Sequence, residues 1–340
     1  MTGIDGSDEN RPDLRVLSLS GGGFLGLYSA HILAALEERV GRPIGSCFDL
    51  IAGTSIGGII ALGLAHEVPA QEIVAALEHH GPMIFSSRPA PQGRFEIIRD
   101  LFRFALKPKY KAEHLKIAIT ETLGTKTLAE AKHAVIVPAL NMTKGKPQVF
   151  KTPHDPRYEH DWKLASAEIA LAASSAPTLF AIAELEDQLF VDGGLYANSP
   201  DLIAYHEATY YMHASPESLY MLSIGTTTGR YSLSQQTGRQ FGASQWMLDS
   251  RLLSAIFGSQ QQVAEFVMSH LLGDHYVRLD CTQAREQERY LKMDVASEAA
   301  IKDIRGLANA TVQERLGSKQ VAQFLDYTAP APKFYYGDAN

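Results

Sequence analysis

The sequence predicts an α/β fold in which a mostly parallel sheet carries helices on its faces, with further helices appended toward the C-terminus. Two strand–glycine turn–helix units lie within the first 65 residues, and such units build parallel strands joined by crossover helices. Mostly helical patterning follows from about residue 235. With 45% hydrophobic and 20% charged residues, the composition is that of an ordinary folded globular protein.

The first unit contains residues 14–20, which read as a short buried strand, and residues 24–40, which read as an amphipathic helix ending at Gly41. Three consecutive glycines separate the two elements. A glycine loop at a helix start exposes backbone N–H groups in a region of positive potential. The loop therefore predicts a site for an anion, either a bound phosphate or an oxyanion formed during a reaction.

The second unit begins with a strand at residues 48–52, continues through the turn GTSIGG and enters an apolar helix. Residues 164–180 have a helical pattern as far as Pro177. Further strands are predicted at 133–142, 147–152, 189–194, 219–225 and 275–281.

We expect a single domain over residues 14–330, since the chain contains no internal repeat and no clear linker. The recognisable motifs lie within 14–226, and 227–330 is the mostly helical remainder. Residues 1–13 and 331–340 are predicted to be tails.

Charge and composition exclude several classes of protein. The net charge of −7 argues against binding to DNA or RNA, because general nucleic-acid binders carry a basic surplus. The two cysteines, Cys47 and Cys281, form neither a disulfide framework nor a metal spacing and suit a reducing compartment. The polar N-terminus lacks a signal-peptide core, and no apolar run approaches the length of a membrane span. We therefore expect a cytoplasmic protein.

One segment departs from the acidic average. Residues 88–116 contain eight Lys or Arg against three acids, a local charge of +5. Within this segment, residues 95–106 place apolar side chains at helical spacing beside Arg99 and Arg103. Such a helix either lies on an anionic membrane surface or packs its apolar face against the core, and the sequence leaves both interpretations open.

The pentapeptide GTSIG at 53–57 matches the pattern G-x-S-x-G. In a strand-to-helix turn this spacing exposes a serine hydroxyl at a sharp elbow, because Gly53 and Gly57 leave room for the tight backbone. The strand before it and the helix after it are the context that an elbow requires. An ordinary turn remains the alternative, since glycine and serine are common turn residues.

The glycine loop does not match a phosphate-binding motif. A P-loop would need lysine after its last glycine, and here Leu27 follows Gly26. A dinucleotide fingerprint could be placed on the loop, but it needs an acid at the end of the second strand. That strand instead ends in the serine elbow, which favours an oxyanion hole formed by the N–H groups of Gly22 and Gly23.

A serine nucleophile needs a base, which is a histidine in the standard triad. None of the candidate histidines lies at a glycine-rich strand end, which weakens each of them as a candidate base. These histidines are His206, His213, His270 and His275.

A carboxylate fits this requirement better. Asp192 ends an apolar strand and is followed by Gly193 and Gly194, where a charged residue is unexpected unless the strand end opens onto a site. Partial desolvation would raise its pKa and make it a stronger base. The alternative is that Asp192 caps the turn, as Asp before Gly often does.

Five motifs occur together and in a fixed order. They are GGGFLG at 21–26, GTSIG at 53–57, SSAPTLF at 174–180, DGGLYANSP at 192–200 and LSIGT at 222–226. In this combination the chain resembles the patatin-like phospholipase family, which uses a Ser-Asp dyad. The resemblance implies a patatin-like three-layer sandwich with a mostly parallel central sheet and appended C-terminal helices.

The resemblance also implies roles for individual residues. Ser55 would be the nucleophile and Asp192 the general base, with no metal and no cofactor. The oxyanion amides would come from Gly21, Gly22 and Gly23, and the supporting glycines would be Gly26, Gly53, Gly57, Gly193 and Gly194. Many family members carry Arg or Lys just before the last glycine of the loop, whereas this chain has Leu25.

The stretch NMTKGKPQVFKTPHD at 141–155 extends the similarity to bacterial patatin-like effectors of antiphage signalling that cyclic oligonucleotides activate. This implies hydrolysis of membrane glycerophospholipids by an enzyme that is cytoplasmic and, when active, peripheral to the inner membrane. We predict phosphate contacts from Lys144, Lys146 and Lys151, with solvated loop lysines as the alternative. A homo-oligomer is left open.

Two other functions remain as rivals. An unregulated Ser-His-Asp α/β-hydrolase esterase would need a histidine after the acid. A non-enzymatic nucleotide-binding module would leave Ser55 and Asp192 without a joint task.

Overall fold

The computed structural model of the chain describes residues 13–85, 107–227, 240–242, 245–246 and 251–337. The predicted amphipathic helix at 95–106, residues 1–12 of the first predicted tail and residues 338–340 of the second lie outside these residues. The strands are β1 (Leu14–Leu19), β2 (Leu50–Gly53), β3 (Ala134–Asn141), β4 (Lys146–Lys151), β5 (Ala183–Leu185), β6 (Gln188–Asp192), β7 (Leu219–Ile224) and β8 (Tyr276–Leu279).

The described α-helices are α1 (Gly26–Val40), α2 (Ile56–Ala65), α3 (Ala70–Ile84), α4 (Ala112–Leu123), α5 (Ser166–Ala173), α6 (Gly194–Ala197), α7 (Asp201–His206), α8 (Arg251–Leu272), α9 (Glu298–Arg315) and α10 (Lys319–Leu325). A π-helical turn, Glu207–Tyr211, continues α7.

The eight described strands belong to one sheet in the order β5-β6-β3-β2-β1-β7-β8, with β4 paired to β3. The pairs that join β3, β2, β1, β7 and β8 are parallel, whereas β4, β5 and β6 form antiparallel pairs. Alternate side chains of each central strand face opposite sides of the sheet. Leu17 and Leu19 join the larger apolar cluster with α1, α2 and α9, and Val16 joins the smaller one with α7 and α8. The predicted three-layer sandwich is confirmed.

Three details of the predicted elements were wrong or missing. The first helix begins at Gly26, after a 3₁₀ turn over Gly23–Leu25, because the glycine loop tightens before the α-helix starts. The helix predicted as far as Pro177 ends at Ala173. The sequence analysis missed β5, whose three residues are too short for an alternating pattern to be recognised.

The long strand β3 organises the centre of the sheet. Its Ile136 pairs with Ala52 of β2 on one edge and with Lys151 of β4 on the other. Three residues later, Ala139 pairs with Asp192 of β6 and again with β4. Because β4 occupies one edge throughout, β2 and β6 share the opposite edge. They run toward each other, since β2 is parallel and β6 antiparallel to β3, so their C-terminal ends meet.

A buried polar network lies beside this meeting point. Asp201, which is fully buried, accepts hydrogen bonds from Ser18 Oγ of β1 at 2.5 Å, Ser223 Oγ of β7 at 2.9 Å and Tyr276 Oη of β8 at 2.6 Å. Ser199 adds a further bond at 3.0 Å. One carboxylate at the start of α7 thus joins three neighbouring strands.

The α-helices of the described part of the chain range in length from four residues in α6 to 22 residues in α8. None of them combines the length and the apolar character needed to cross a bilayer.

We predict that Asp201→Ala lowers the free energy of unfolding by about 3 kcal/mol or more, because several buried hydroxyl donors lose their acceptor at once. Chemical denaturation followed by circular dichroism measures this loss. Replacing the exposed Asp274 by Ala is the matched control and should change stability by no more than about 0.5 kcal/mol. A loss below about 1 kcal/mol in Asp201→Ala would show that the donors find other acceptors.

Candidate active site

Ser55 lies at a sharp elbow between β2 and α2. Its φ is 55° and its ψ is −123°, a conformation that residues with a Cβ rarely adopt and that marks functional sites. The flanking glycines are required by close packing. A methyl group on Gly53 would lie 2.1 Å from the Gly57 carbonyl oxygen, and one on Gly57 would lie 2.4 Å from that of Leu19. The strand–turn–helix therefore has the geometry of a nucleophile elbow.

The carboxylate of Asp192 faces this serine. Ser55 Oγ donates to Asp192 Oδ2 at 2.5 Å, and the Gly194 N–H donates to Asp192 Oδ1 at 2.7 Å. The convergence of β2 and β6 on one edge of β3 brings the two residues together from positions 137 residues apart in the chain. Gly193 allows the close approach, because a methyl group there would lie 2.3 Å from the Pro138 carbonyl oxygen.

Burial changes the acid–base properties of this carboxyl group. Only 2% of Asp192 is exposed, and desolvation raises its pKa to about 6. The hydrogen bonds from Ser55 and the Gly194 N–H stabilise the carboxylate and oppose this rise in pKa. Asp192 is thus a stronger base than an exposed aspartate and is still ionised at neutral pH. It can accept the Ser55 proton directly, without an intervening histidine.

The glycine loop runs directly beside the serine. A methyl group on Gly21 would lie 3.3 Å from Ser55 Cβ. Among the described residues, no acceptor takes a hydrogen bond from the N–H of Gly22 or Gly23. The N-terminus of α2 begins at the same point and adds positive potential. These features can stabilise a negative oxygen formed on a carbonyl that Ser55 attacks.

The expectation for Gly21 needs correction. Its N–H donates to the carbonyl oxygen of Asn198 at 2.8 Å, so this amide already has an acceptor. The predicted oxyanion donors are therefore reduced to Gly22 and Gly23. The next amide along, that of Phe24, is also occupied, because it donates to the Met293 carbonyl oxygen at 2.7 Å.

The position that carries Arg or Lys in many family members has no cation here. Leu25 is 5% exposed and packs in the larger apolar cluster. Arg278 of β8 instead approaches the loop from behind, where its Nη1 donates to Ser20 Oγ at 3.0 Å. Its Nη2 donates to Asp280 at 2.8 Å, so the role of Arg278 is to hold the residue before the loop in place.

The motif SSAPTLF supports the acid. The carbonyl oxygen of Ser175 accepts the Asp192 N–H at 3.1 Å, which holds the end of β6 in place. Phe180 packs against Phe85 and Tyr110, with ring centroids 6.1 and 6.0 Å away, and Phe24 of the glycine loop lies 6.2 Å from Phe85. An apolar aromatic wall therefore borders the loop.

The four candidate histidines lie elsewhere. His206 stacks on Tyr210, His275 stacks on Tyr220, and His270 contacts the Phe266 carbonyl oxygen. His213 follows the π-helical turn with a φ of 58°. Among the residues that the structure describes, no histidine hydrogen-bonds to Ser55 or Asp192.

The three predicted phosphate-contacting lysines are not brought together. Lys144 and Lys146 are exposed at the hairpin between β3 and β4. Lys151 lies at the other end of β4, about 16 Å from Lys146 along the strand. Its Nζ pairs with Glu207 at 2.5 Å and contacts Tyr158 Oη at 2.9 Å. They do not form one phosphate site, and their contacts as individual residues stay predictions.

Sequence reasoning missed several residues that shape the site. Asn198, Gln260, Arg278 and Met293 all contact the glycine loop or the turn after Asp192. Asn198 lies inside a recognised motif, so its position was a usable signal. Gln260 lies in a helix, Arg278 in the strand β8 and Met293 in an irregular segment, and all three reach the site only through tertiary packing. In the described part of the chain, no group of three His, Cys, Asp or Glu side chains could hold a metal ion.

Comparison with known proteins agrees with this geometry. The profile of the family described as patatin-like phospholipase matches residues 17–205, which include the glycine loop, Ser55 and Asp192. Three relatives, each named cGAMP-activated phospholipase, match nearly the whole chain. The Pseudomonas aeruginosa protein is 37% identical over 99% of this chain and 97% of its own length.

The Vibrio cholerae relative is 35% identical over 94% of this chain and 96% of its own length. The Escherichia coli relative is 33% identical over 96% of this chain and 97% of its own length. Since the family profile covers more than half of the chain and full-length relatives exceed 30% identity, the chain belongs to the patatin-like phospholipase family.

Proposed function

We propose that this chain is a phospholipase of the A type that hydrolyses carboxylic esters of membrane glycerophospholipids with a Ser55–Asp192 dyad. The observation that carries the proposal is the 2.5 Å hydrogen bond from a strained, elbow-positioned serine to a buried carboxylate of raised pKa. It also argues against the Ser-His-Asp rival, because the carboxylate occupies the place at which a catalytic histidine would contact the nucleophile.

The reaction begins with acyl transfer. Ser55 Oγ attacks the ester carbonyl carbon while Asp192 takes its proton, and the Gly22 and Gly23 amides bind the resulting oxyanion. When the tetrahedral intermediate collapses, the alcohol part of the lipid leaves and receives the proton from Asp192. The products of this step are an acyl-Ser55 ester, a lysophospholipid and an ionised Asp192.

Water then releases the acyl group. Asp192 removes one proton from the water as its oxygen attacks the acyl carbonyl carbon, and the same amides bind the second oxyanion. Collapse of this intermediate releases the fatty acid, and Asp192 returns the proton to Ser55 Oγ. No redox partner or metal is needed for the balance of atoms and charge.

We further propose that a cyclic oligonucleotide activates this enzyme as part of antiphage defence, with cGAMP as the first candidate. Three relatives of matching length carry that activator in their names. A phospholipase in the cytoplasm would damage its own host's membrane if it were always active. A ligand that moves an inactive-to-active equilibrium from 1:99 to 99:1 must favour the active arrangement by about 5.5 kcal/mol.

We also propose that the active enzyme is peripheral to the inner membrane. The amphipathic stretch at 95–106 supports this through its sequence, because it lies within the segment 88–116 of local charge +5 and each Lys or Arg near an anionic surface contributes about 1 kcal/mol. Residues 95–106 lie outside the part of the chain that the structure describes.

Ser55→Ala should abolish ester hydrolysis, with a loss of at least about 10³-fold, because Ser55 is the one hydroxyl of the described residues that donates to the Asp192 carboxylate. A fluorophosphonate probe should label Ser55 in the unmodified protein and nothing in the variant, as read by mass spectrometry of peptides. Ser269→Ala, at an exposed serine of α8, is the control and should keep full activity and labelling. Labelling of another serine with retained hydrolysis would overturn the assignment of the nucleophile.

The pH dependence of hydrolysis should follow Asp192. With a soluble short-chain ester, kcat/KM should rise with pH through a midpoint near 6, because only the ionised carboxylate accepts the serine proton. A pH profile over the range of about 4 to 8 measures this midpoint. A midpoint near the ordinary aspartate pKa of about 3.9 would contradict the raised pKa of Asp192 on which this prediction rests.

The same shift in pKa predicts an effect on stability. Because the pKa of Asp192 is raised by folding, the ionised form destabilises the folded state by about 3 kcal/mol at pH values above 6. This penalty decreases between pH 6 and 4 and is absent below the unfolded pKa of about 3.9. Asp192→Asn should therefore be inactive yet more stable than the unmodified protein at pH 8, with no such gain at pH 4. Thermal denaturation at both pH values tests the sign.

Activation is tested with purified protein, liposomes and a panel of cyclic di- and trinucleotides that includes cGAMP. We expect weak hydrolysis alone and a rise of at least about 100-fold with the activating nucleotide, as the population argument requires. Ser55→Ala with the same nucleotide is the control for contaminating lipase. Strong activity that no member of the panel changes would reject the switch and leave the dyad chemistry intact.

A further inference from the structure

The side chain of Asn198 is buried beside Ser55 and Asp192, and no residue that the structure describes forms a hydrogen bond with it. The residue is 1% exposed, and neither Oδ1 nor Nδ2 has a partner among the described residues. A buried carboxamide without partners destabilises a folded protein, so its presence next to a reactive group needs a reason.

The backbone of Asn198 is held firmly on both sides. Its carbonyl oxygen accepts the Gly21 N–H at 2.8 Å, and its own N–H donates to Gln260 Oε1 at 2.9 Å. Gln260 Nε2 in turn donates to the Leu195 carbonyl oxygen at 2.8 Å, and Thr54 Oγ1 donates to that of Ala197 at 2.6 Å. The position of the carboxamide is therefore set by the hydrogen bonds of the surrounding main chain.

That place lies between the glycine loop and the turn that follows Asp192. A methyl group on Gly21 would lie 2.6 Å from Asn198 Oδ1 and 3.3 Å from Ser55 Cβ. A methyl group on Gly194 would lie 3.3 Å from the same Oδ1 and 3.1 Å from Asp192 Oδ1. The carboxamide thus has the nucleophile on one side and the base on the other.

We propose that Asn198 holds the hydrolytic water for release of the acyl group from Ser55, an inference that rests on the proposed function. The water donates one O–H to Asn198 Oδ1 and the other to the Asp192 carboxylate. Acylation removes the proton from Ser55 Oγ, which frees Asp192 Oδ2 to receive this second O–H. Transfer of that proton to Asp192 leaves the water oxygen to form the new bond to the acyl carbon, and the proton then passes to Ser55 Oγ.

The oxyanion formed from the acyl carbonyl is bound by hydrogen-bond donors of the glycine loop. The Gly22 and Gly23 amides bind the oxyanion, and they are main-chain groups that a carboxamide does not need to duplicate. An attacking water requires something different, namely an acceptor for the O–H that the base does not take. Asn198 Oδ1 supplies that acceptor, which makes the residue specific to the second half-reaction.

The test separates the two half-reactions. With p-nitrophenyl butyrate and cGAMP, Asn198→Leu, which keeps the branching of the side chain at Cγ, should release one equivalent of p-nitrophenolate in a burst and then turn over at least about 10-fold more slowly than the unmodified enzyme. Intact-protein mass spectrometry should show the butyryl adduct accumulating. Asn198→Ala should behave in the same way.

The readouts also exclude a structural role. Because Asn198→Leu removes polar atoms without partners, its melting temperature should equal or exceed that of the unmodified protein. Asn141→Leu is the matched control, since Asn141 is equally buried but donates to Gln148 and Gln188. That variant should melt at a lower temperature while keeping the ratio of acylation to deacylation rates.

Two results would overturn the inference. One is an equal fall in burst rate and steady-state rate in both Asn198 variants, and the other is unchanged turnover. A different failure belongs to the proposed function: if the unmodified protein releases no p-nitrophenolate and hydrolyses no lipid, the esterase chemistry is wrong and the role of Asn198 falls with it.

Discussion

The site depends on one constraint of the sheet, namely that two short strands share one edge of β3 and meet end to end. β2 begins opposite Ala134 and its Ala52 pairs with Ile136 of β3, whereas β6 ends at Asp192 opposite Ala139. If β6 ran parallel to β3, its C-terminal end would point away from the serine elbow. Because β6 is antiparallel to β3, Asp192 lies next to Ser55 and the two side chains form a hydrogen bond.

The segment that follows the acid is fixed at close intervals. The Asp192 N–H donates to the Ser175 carbonyl oxygen, and the Ala197 carbonyl oxygen accepts from Thr54 Oγ1. The main chain of Asn198 is hydrogen-bonded to Gly21 and Gln260. The carboxylate of Asp201 accepts hydrogen bonds from three strands. Such anchoring is needed because two features of the site oppose folding: the positive φ of Ser55 and the ionised state of a buried carboxyl group. Packing around the site keeps a geometry that the local sequence would not keep alone.

Much of this arrangement was predictable from the sequence. The elbow was recognisable because glycine spacing, a preceding strand and a following helix are local features, and Asp192 was recognisable as a charge ending an apolar strand. The partner of a loop amide is not a local feature, so the bond from Gly21 to Asn198 was missed and Gly21 was wrongly included among the oxyanion donors. Lys151 illustrates the same limit, because its partner Glu207 lies 56 residues away.

The family profile ends at residue 205, yet the geometry of the glycine loop depends on residues beyond it. The Met293 carbonyl oxygen takes the Phe24 N–H, and a methyl group on Gly23 would lie 2.2 Å from that same oxygen. The neighbouring Asp294 pairs with Lys109 at 2.5 Å, which ties this segment to the aromatic wall. The relatives match over nearly the full length of the chain, which includes this C-terminal third. A ligand changes activity only if it binds two arrangements of the protein with different affinities. The contacts of Met293 and Asp294 connect the C-terminal third of the chain to the glycine loop, so a rearrangement of that third would be felt at the loop.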